Sequence, residues 1–466
     1  MKRASEAGYG ASALVRPARA DAFFPAVARN APCPCGSGRR FKACCGASVA
    51  SVSTTLPSRL TRALALQQQG RLVEAQAIYC EVLEQAPQTA DAAHMLGVIH
   101  LQMGNYVEAL RRLRQAADLF EWKLPAVRHN LGLAIVALLA GRDRETVERL
   151  WEAYDDWRDS LQRQRRDVAP KVSVVIPSFN HAAYIESTLE SVLRQTYPSI
   201  EIVVIDDGSS DDSADRIRAS LRHSPHPTRF HARGNRGAAA TINEAVASSS
   251  GEFINVLNSD DLFTTSRVAT MVYEVAGTGV QWGFSRVAFI DQDGAALTPE
   301  SSSRVADLGF LGDDVAARDA VSMSFLSGNA AVSTGALFFS RSLFDRLNGF
   351  RDLRYNHDWD FCLRASIVAE PLFVPTAQYQ YRIHDANTIL ESVSAARSEA
   401  DAMFSGFYAE ALRTPAPQNP FAPVPAVWGA RFFEQALGCG HAAILPPEVL
   451  RELVQRVATH DAGLSS

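Results

Sequence analysis

Two short acidic runs and one knot of cysteines concentrate the reactive side chains of this sequence. Asp206-Asp207 follows the apolar run Ile200 to Ile205, and Asn258-Ser259-Asp260-Asp261 follows Phe253 to Leu257. One acidic turn after a strand is ordinary turn and cap chemistry. Two on neighbouring parallel strands converge on one crevice, where their hard oxygen ligands could hold Mg²⁺ or Mn²⁺ against a diphosphate. The cysteines are Cys33, Cys35, Cys44 and Cys45, with Gly36-Ser37-Gly38 between the pairs. Neighbouring cysteines rarely bond to each other, whereas four thiolates complete a tetrahedral Zn²⁺ site and a glycine turn lets two pairs meet. Cys80, Cys362 and Cys439 stand alone and read as helix-packing residues.

The elements that must place the acidic runs are legible from periodicity. Val172 to Ile176 is a β-branched run ended by Pro177, and a helical period through Ile185, Leu189, Val192 and Leu193 separates it from Ile200 to Ile205. Strand, helix, strand in this span is a βαβ unit with parallel, adjacent strands. Ligands gather at the carboxyl ends of such strands. There stand Ser178, Phe179 and Asn180 after the first strand, and Asp206 and Asp207 after the second. A third strand over Arg229 to Ala232 leads through Gly234 to Gly237 into a helix containing Ile242 and Val246, and Phe253 to Leu257 is the fourth.

Upstream, Leu60 to Leu150 carries helical spacing. Gly70, Glu74 and Ala75 recur at Gly104, Glu108 and Ala109, a shift of 34 residues, which is the tetratricopeptide period. Leu131, Gly132 and Ala134 look like a degraded third repeat. Stacked repeats bury a continuous core and present a concave, protein-binding face.

The chain has 466 residues, enough for several domains, and its 47% hydrophobic and 21% charged residues are ordinary for globular proteins. A net charge of -5 supplies no field for nucleic acid, so a dedicated DNA-binding role is excluded. The longest apolar stretch, Leu131 to Ala140, falls short of the ~20 residues a membrane helix needs. The N-terminal residues lack the apolar core of a secretory leader. A cytoplasmic location is expected, with peripheral work at the inner membrane left open.

Three stretches resemble known families. VSVVIPSFNHAAYIESTLESVLRQTYPSIEIVVIDDGSSDDS and GNRGAAATINEAVASSSGEFINVLNSDD resemble the nucleotide-binding half of the family 2 glycosyltransferases, and TGALFFSRSLFDRLNGFRDLRYNHDWDFCLRA resembles their acceptor half. CPCGSGRRFKACCG resembles the SEC-C motif, whose members bind a structural zinc and sit at protein-contacting tails, which implies a bacterial protein. The 34-residue echo resembles a tetratricopeptide array.

The resemblances imply an α/β, Rossmann-like GT-A domain at 171–390, preceded by a tail at 1–30, a zinc knuckle at 31–46, helical repeats at 58–150 and a linker helix at 151–170. A helical extension with a proline-rich linker at 391–466 follows. They imply an inverting glycosyltransferase with a uridine-linked donor, a structural Zn²⁺, and Mn²⁺ or Mg²⁺ at the donor site. The acceptor class is left open between carbohydrate, lipid-linked and protein, and a protein partner is expected through the repeats. Carried over by position, Pro177 and Asn180 line the nucleotide pocket, and Asp206 or Asp207 bonds the base or ribose. Asp260 matches the metal-binding aspartate of the family's Asp-x-Asp motif, with Asn258 in place of its first aspartate, a nucleotide-binding position where an amide oxygen can hydrogen-bond a ribose or ligate the ion with one negative charge fewer. Asp358 matches the general base, with His357 where a glutamate is usual, and His384 matches a histidine that approaches the metal or diphosphate. Asp360 is expected to fix local structure, Arg364 to pair with phosphate or an acid, and Gly335 and Ala336 to line the acceptor pocket or pack tightly. Asn258 and His357 keep a second class open, a non-catalytic scaffold or nucleotide-sugar sensor. A nucleotidyltransferase is disfavoured, because PSFNH stands where a glycine-rich basic loop would be.

Overall fold

The structure, a computed structural model, describes residues 55–140, 143–306, 308, 315, 320–385, 387 and 391–462. The expected tail at 1–30 and the SEC-C-like motif with Cys33, Cys35, Cys44 and Cys45 lie outside the described residues. The described residues divide into two compact units, one containing 55–140 and 440–462 and one lying within 143–439.

In the first unit, α1 (Leu56–Gln68) and α2 (Leu72–Gln85) are repeated 34 positions on by α3 (Ala90–Gln102) and α4 (Tyr106–Leu119). The turns repeat as well. Gly70 and Gly104 take φ of +76° and +75°, a left-handed conformation that glycine adopts without penalty. Each turn closes with a six-residue backbone bond, Arg71 to the Leu66 carbonyl at 3.0 Å and Asn105 to that of His100 at 2.9 Å. The degraded third repeat supplies one helix, α5 (Pro125–Leu139), which buries Leu131, Gly132 and Ala134. Its second helix is replaced. The chain's last helix, Pro447–Ala462, packs against α4 and α5, and Arg128 donates to the Leu445 carbonyl. The expected C-terminal extension is therefore split, because a stack of repeats needs its terminal apolar face covered.

The second unit opens with α6 (Arg144–Gln164), which begins before the expected linker helix and ends sooner. Then β1 (Val172–Ser178), α7 (Ile185–Leu193), β2 (Ile200–Asp206), α8 (Ser213–Leu221), β3 (Thr228–Ala232), α9 (Ala238–Ala247) and β4 (Phe253–Val256) build a parallel half-sheet in the order β3-β2-β1-β4. β2 is buried along its whole length, which is why it reads as a largely apolar run rather than an alternation, and its one internal charge, Glu201, is buried against the Ser173 hydroxyl at 2.6 Å. β1 continues past Pro177 to Ser178, where the Ser178 carbonyl accepts from the Asp207 amide at 2.7 Å. Beyond β4 come β5 (Leu262–Phe263), α10 (Arg267–Glu274), β6 (Trp282–Ile290), β7 (Ala296–Leu297), β8 (Leu337–Ser340), α11 (His357–Val368), β9 (Leu372–Arg382) and α12 (Val393–Ala411). β8 runs antiparallel to β4, β6 antiparallel to β8, β9 parallel to β6, and β5 antiparallel to β9. This mixed sheet with helical crossovers is of the α/β class expected, preceded by the helical repeats.

A buried acid ties this unit to solution pH. Glu370 accepts from the Ser322 amide at 3.0 Å and the Asn419 side chain at 2.8 Å, and burial pushes its carboxyl up from 4.5 to about 7. The folded state thus holds this proton more tightly than the unfolded chain. Its contribution is full below pH ~4.5 and lost as pH rises through ~7, by about 3 kcal/mol in all. Urea unfolding of the full chain at pH 5 and pH 8 checks this, and Glu370→Gln should remove most of the difference.

Candidate functional site

Three loops meet at the carboxyl end of the parallel strands. After β1, Asn180 sits at φ +54°, a left-handed conformation Asn tolerates, and its Oδ1 accepts from the Ser210 amide at 2.8 Å. After β2, Asp206 is buried and accepts from the Ser209 amide at 3.0 Å and hydroxyl at 2.6 Å. Asp207 pairs with Arg233 and accepts from the amides of Arg236 at 2.8 Å and Gly237 at 2.9 Å. The expected nucleotide residues are thus gathered on adjacent loops, with Pro177 half-buried at the end of β1 and Asn180 exposed beyond it.

After β4 the two neighbouring aspartates are driven to opposite behaviour. Asp260 Oδ2 lies 3.0 Å from His384 Nε2 and 3.8 Å from His181 Nε2. Burial pushes its carboxyl up, but the His384 hydrogen bond and the charges of the two imidazoles prevail and hold it below the ordinary range. Asp261 accepts from the Tyr379 hydroxyl and from the Arg382 amide at 2.7 Å. Burial and the charge of Asp260 raise it well above the ordinary value. Asp260 alone of the two therefore offers a charge to a ligand.

The same loop explains Asn258. Its amide nitrogen lies 3.0 Å from Asp261 Oδ2, 3.0 Å from Ser333 Oγ and 3.2 Å from the Tyr379 hydroxyl. An aspartate in this place would set a second carboxylate against Asp261, whereas an amide can donate.

Asp358 sits in the first turn of α11, buried, and is held at both oxygens. Oδ1 accepts from the Trp359 amide at 2.8 Å and Oδ2 from the Asn329 side chain at 3.0 Å. Burial raises its carboxyl above the ordinary value, with the charge of His357 pulling the other way. One turn links this region to the acidic loop. Asn329 bonds Asp358, Ser333 bonds Asn258, and Thr334 Oγ1 lies 3.1 Å from His357 Nε2. Val332 in the turn is held at φ +65°, which β-branched residues rarely adopt. The phenol of Tyr381, raised first by burial, is also within the fields of Asp261, Asp260, Arg304 and Asp358.

The remaining expectations resolve into packing. Arg364 pairs with an acid, Asp360, at 2.7 Å, and also donates to the carbonyls of Leu347 and Gly349. A Cβ on Gly335 would fall 2.1 Å from the Tyr379 ring, and Ala336 is fully buried. Three residues emerge that sequence reasoning missed: His181, Asn329 and the wholly buried Arg267. His181 had a signal in standing directly after Asn180. The other two carry no spacing that marks them.

His181, Asp260 and His384 offer ligand atoms that all lie within 4.8 Å of one another. A charged carboxylate between two imidazoles is a donor set that fits a divalent ion. Among the described residues no helix is long and apolar enough to cross a membrane.

Comparison with known proteins gives the following. Residues 173–306 match the Glycosyl transferase family 2 model, 29–47 the SEC-C motif and 55–121 the tetratricopeptide repeat. An uncharacterized glycosyltransferase of Nostoc sp. is 26% identical over 229 residues, covering 48% of this chain and 68% of that protein. Glycosyltransferase GlyG of Streptococcus pneumoniae is 33% identical over 104 residues, covering 22% of this chain but only 35% of that protein. Among solved structures, a mannosyltransferase from Pyrobaculum calidifontis in complex with GDP-Man and Mn²⁺ is 18% identical with a TM-score of 0.41, covering 71% of this chain and 88% of that one. TarS of S. aureus in complex with UDP is 17% identical with a TM-score of 0.40, covering 53% of this chain and 67% of that one.

Proposed function

We propose that residues 171–390 transfer a sugar from a nucleoside diphosphate, uridine-linked, to a hydroxyl acceptor, with inversion at the anomeric carbon. The observation that carries this reading is the separation of two carboxylates by environment. Asp260 is kept charged between imidazoles at the strand ends, and Asp358 is buried with a raised proton affinity beside the turn that reaches Asn258. Pro177, Asn180 and Asp206 or Asp207 bind the nucleoside. Asp260 and His384 would hold Mn²⁺ or Mg²⁺, whose chemistry there is to offset charge gathering on the departing diphosphate.

Asp358 acts as the general base. It takes the proton of the acceptor hydroxyl as that oxygen bonds to the anomeric carbon, while the bond from that carbon to the diphosphate oxygen breaks on the opposite face. A raised proton affinity suits a base that must accept a proton near neutral pH. Asn329 and the Trp359 amide orient its oxygens. The repeats contact a protein partner or the acceptor, a Zn²⁺ held by Cys33, Cys35, Cys44 and Cys45 folds the SEC-C segment, and a cytoplasmic setting fits nucleotide-sugar chemistry.

The test is release of nucleotide diphosphate from a panel of UDP- and GDP-sugars, with Mn²⁺, by the full chain. Release with one donor, accelerated by a hydroxyl acceptor, supports the reading. Binding of a nucleotide sugar with no turnover under any acceptor favours the sensor or scaffold alternative that Asn258 and His357 raise.

A further inference from the structure

We propose that His181 is a third ligand to the ion at Asp260 and His384, and that the resulting two-imidazole, one-carboxylate set selects Mn²⁺ or another first-row transition ion over Mg²⁺. This rests on the reading of Asp260 and His384 as ion-binding residues given above and goes beyond it in ligand number and metal preference.

Ligand atoms in neighbouring positions on an ion at about 2.1 Å stand roughly 3 Å apart. His384 Nε2 and Asp260 Oδ2 already meet that spacing at 3.0 Å, and His181 Nε2, at 3.8 Å, is less than about 1 Å outside it. The orientation of His181 is fixed from behind. Its Nδ1 bonds Ser259 Oγ at 2.7 Å, the kind of outer partner that sets the tautomer of a metal-bound imidazole and leaves the other nitrogen facing the ion. Its backbone amide is anchored to Ser213 Oγ at 3.0 Å.

His384 is held comparably. Its amide donates to Asn387 Oδ1 at 2.9 Å, and its ring lies 4.9 Å from that of Tyr184, which is itself covered by the Arg382 guanidinium. The Asn387 amide nitrogen stands 3.3 Å from His384 Nε2 and keeps the ring in place. The neighbouring acid does not compete. Both oxygens of Asp261 are engaged, with the Arg382 amide on one side and the Tyr379 hydroxyl on the other.

The cluster therefore presents two nitrogens and one carboxylate oxygen. Mg²⁺ takes oxygen ligands in strict octahedral geometry, whereas imidazole nitrogens suit the borderline transition ions. A donor site with one carboxylate and two imidazoles moves the preference away from Mg²⁺.

The probe is Mn²⁺ alone, without nucleotide, titrated into the full chain and followed by the free-ion electron spin resonance signal. His181→Phe should weaken binding by roughly 10- to 100-fold. Asp260→Ala should abolish it, and Mg²⁺ should displace Mn²⁺ only at about 100-fold excess or more. Electron spin echo on wild-type protein should count two imidazole nitrogens on the bound ion, a readout that does not depend on any variant folding. A single nitrogen, unchanged affinity in His181→Phe, or displacement by equimolar Mg²⁺ would overturn the inference while Asp260 and His384 stand. No Mn²⁺ binding by the wild type overturns both.

Discussion

Asp358→Asn should lower turnover by about 10² to 10⁴-fold while leaving donor affinity within about twofold. The carboxamide keeps the size of the side chain but can retain only one of the Trp359 and Asn329 hydrogen bonds, because its nitrogen would face the other donor, and it cannot take a proton from the acceptor hydroxyl. The effect should fall on kcat, because nothing in the account places Asp358 against the nucleotide. Full activity in the variant would remove the general base from the account. A fall in donor affinity of the same size would show that Asp358 acts in binding instead. The pH profile separates the roles further. With the wild-type carboxyl raised by burial, kcat should fall as pH drops and Asp358 becomes protonated. The Asp358→Asn residue rate should show no such limb.

The second large effect concerns Arg267. Its guanidinium is fully buried and donates to Ser285 Oγ, to the Ala336 carbonyl at 2.7 Å and, more distantly at 3.3 Å, to Asn255 Oδ1 and the Gly335 carbonyl. It thus ties β4 and β6 to the turn that carries Ser333 and Thr334. Burial lowers its proton affinity to about 9, and its hydrogen bonds are what make a buried charge tolerable. Arg267→Ala leaves these oxygens without their donor and opens a cavity. A loss of about 3 to 5 kcal/mol follows, or a melting temperature lower by roughly 10 °C. Thermal unfolding of the full chain measures it, and a fall of under about 2 °C would contradict the tie. Nucleotide release should fall as well, because the turn sets Asn258 and Asp358 in place.

What was legible beforehand follows from which physics is local. The strands β1, β2 and β4 announced themselves as mostly apolar runs because parallel strands covered on both faces bury nearly every side chain, and the polar exceptions Ser173, Glu201 and Asn255 are buried with hydrogen-bond partners. The 34-residue echo was legible because the same glycine turn must recur wherever two helices reverse. The acidic run with Asp260 stood out by its place after a strand, but His384 and Asp358 were singled out through resemblance alone, since Asp260 and His384 are 124 positions apart and meet only when β9 returns beside β5.

Asn329 and Arg267 were illegible for the same reason, and His181 was marked only by standing after Asn180, which gave no hint of its partner. Their partners, Ser259, Asp358 and Ala336, are supplied by packing between distant elements, and no period encodes it. From sequence position alone Asn258 stands out only as an amide in the place of a family aspartate. Its contacts to Asp261, Ser333 and Tyr379 give it a structural reason that motif comparison could not supply. The division of the C-terminal extension was missed because an amphipathic helix does not state which surface it covers.

The most direct test of the central claim is thermal unfolding of the full chain against UDP- and GDP-sugars, with and without Mn²⁺, for wild type and Asp260→Ala. A donor at ~100 times its dissociation constant adds about 2.7 kcal/mol, or a shift of roughly 5 to 10 °C at 2 to 4 °C per kcal/mol. Such a shift is expected for at least one donor, dependent on Mn²⁺ and absent in Asp260→Ala. No shift with any nucleotide sugar in folded wild-type protein, or the same shift in Asp260→Ala, would contradict it.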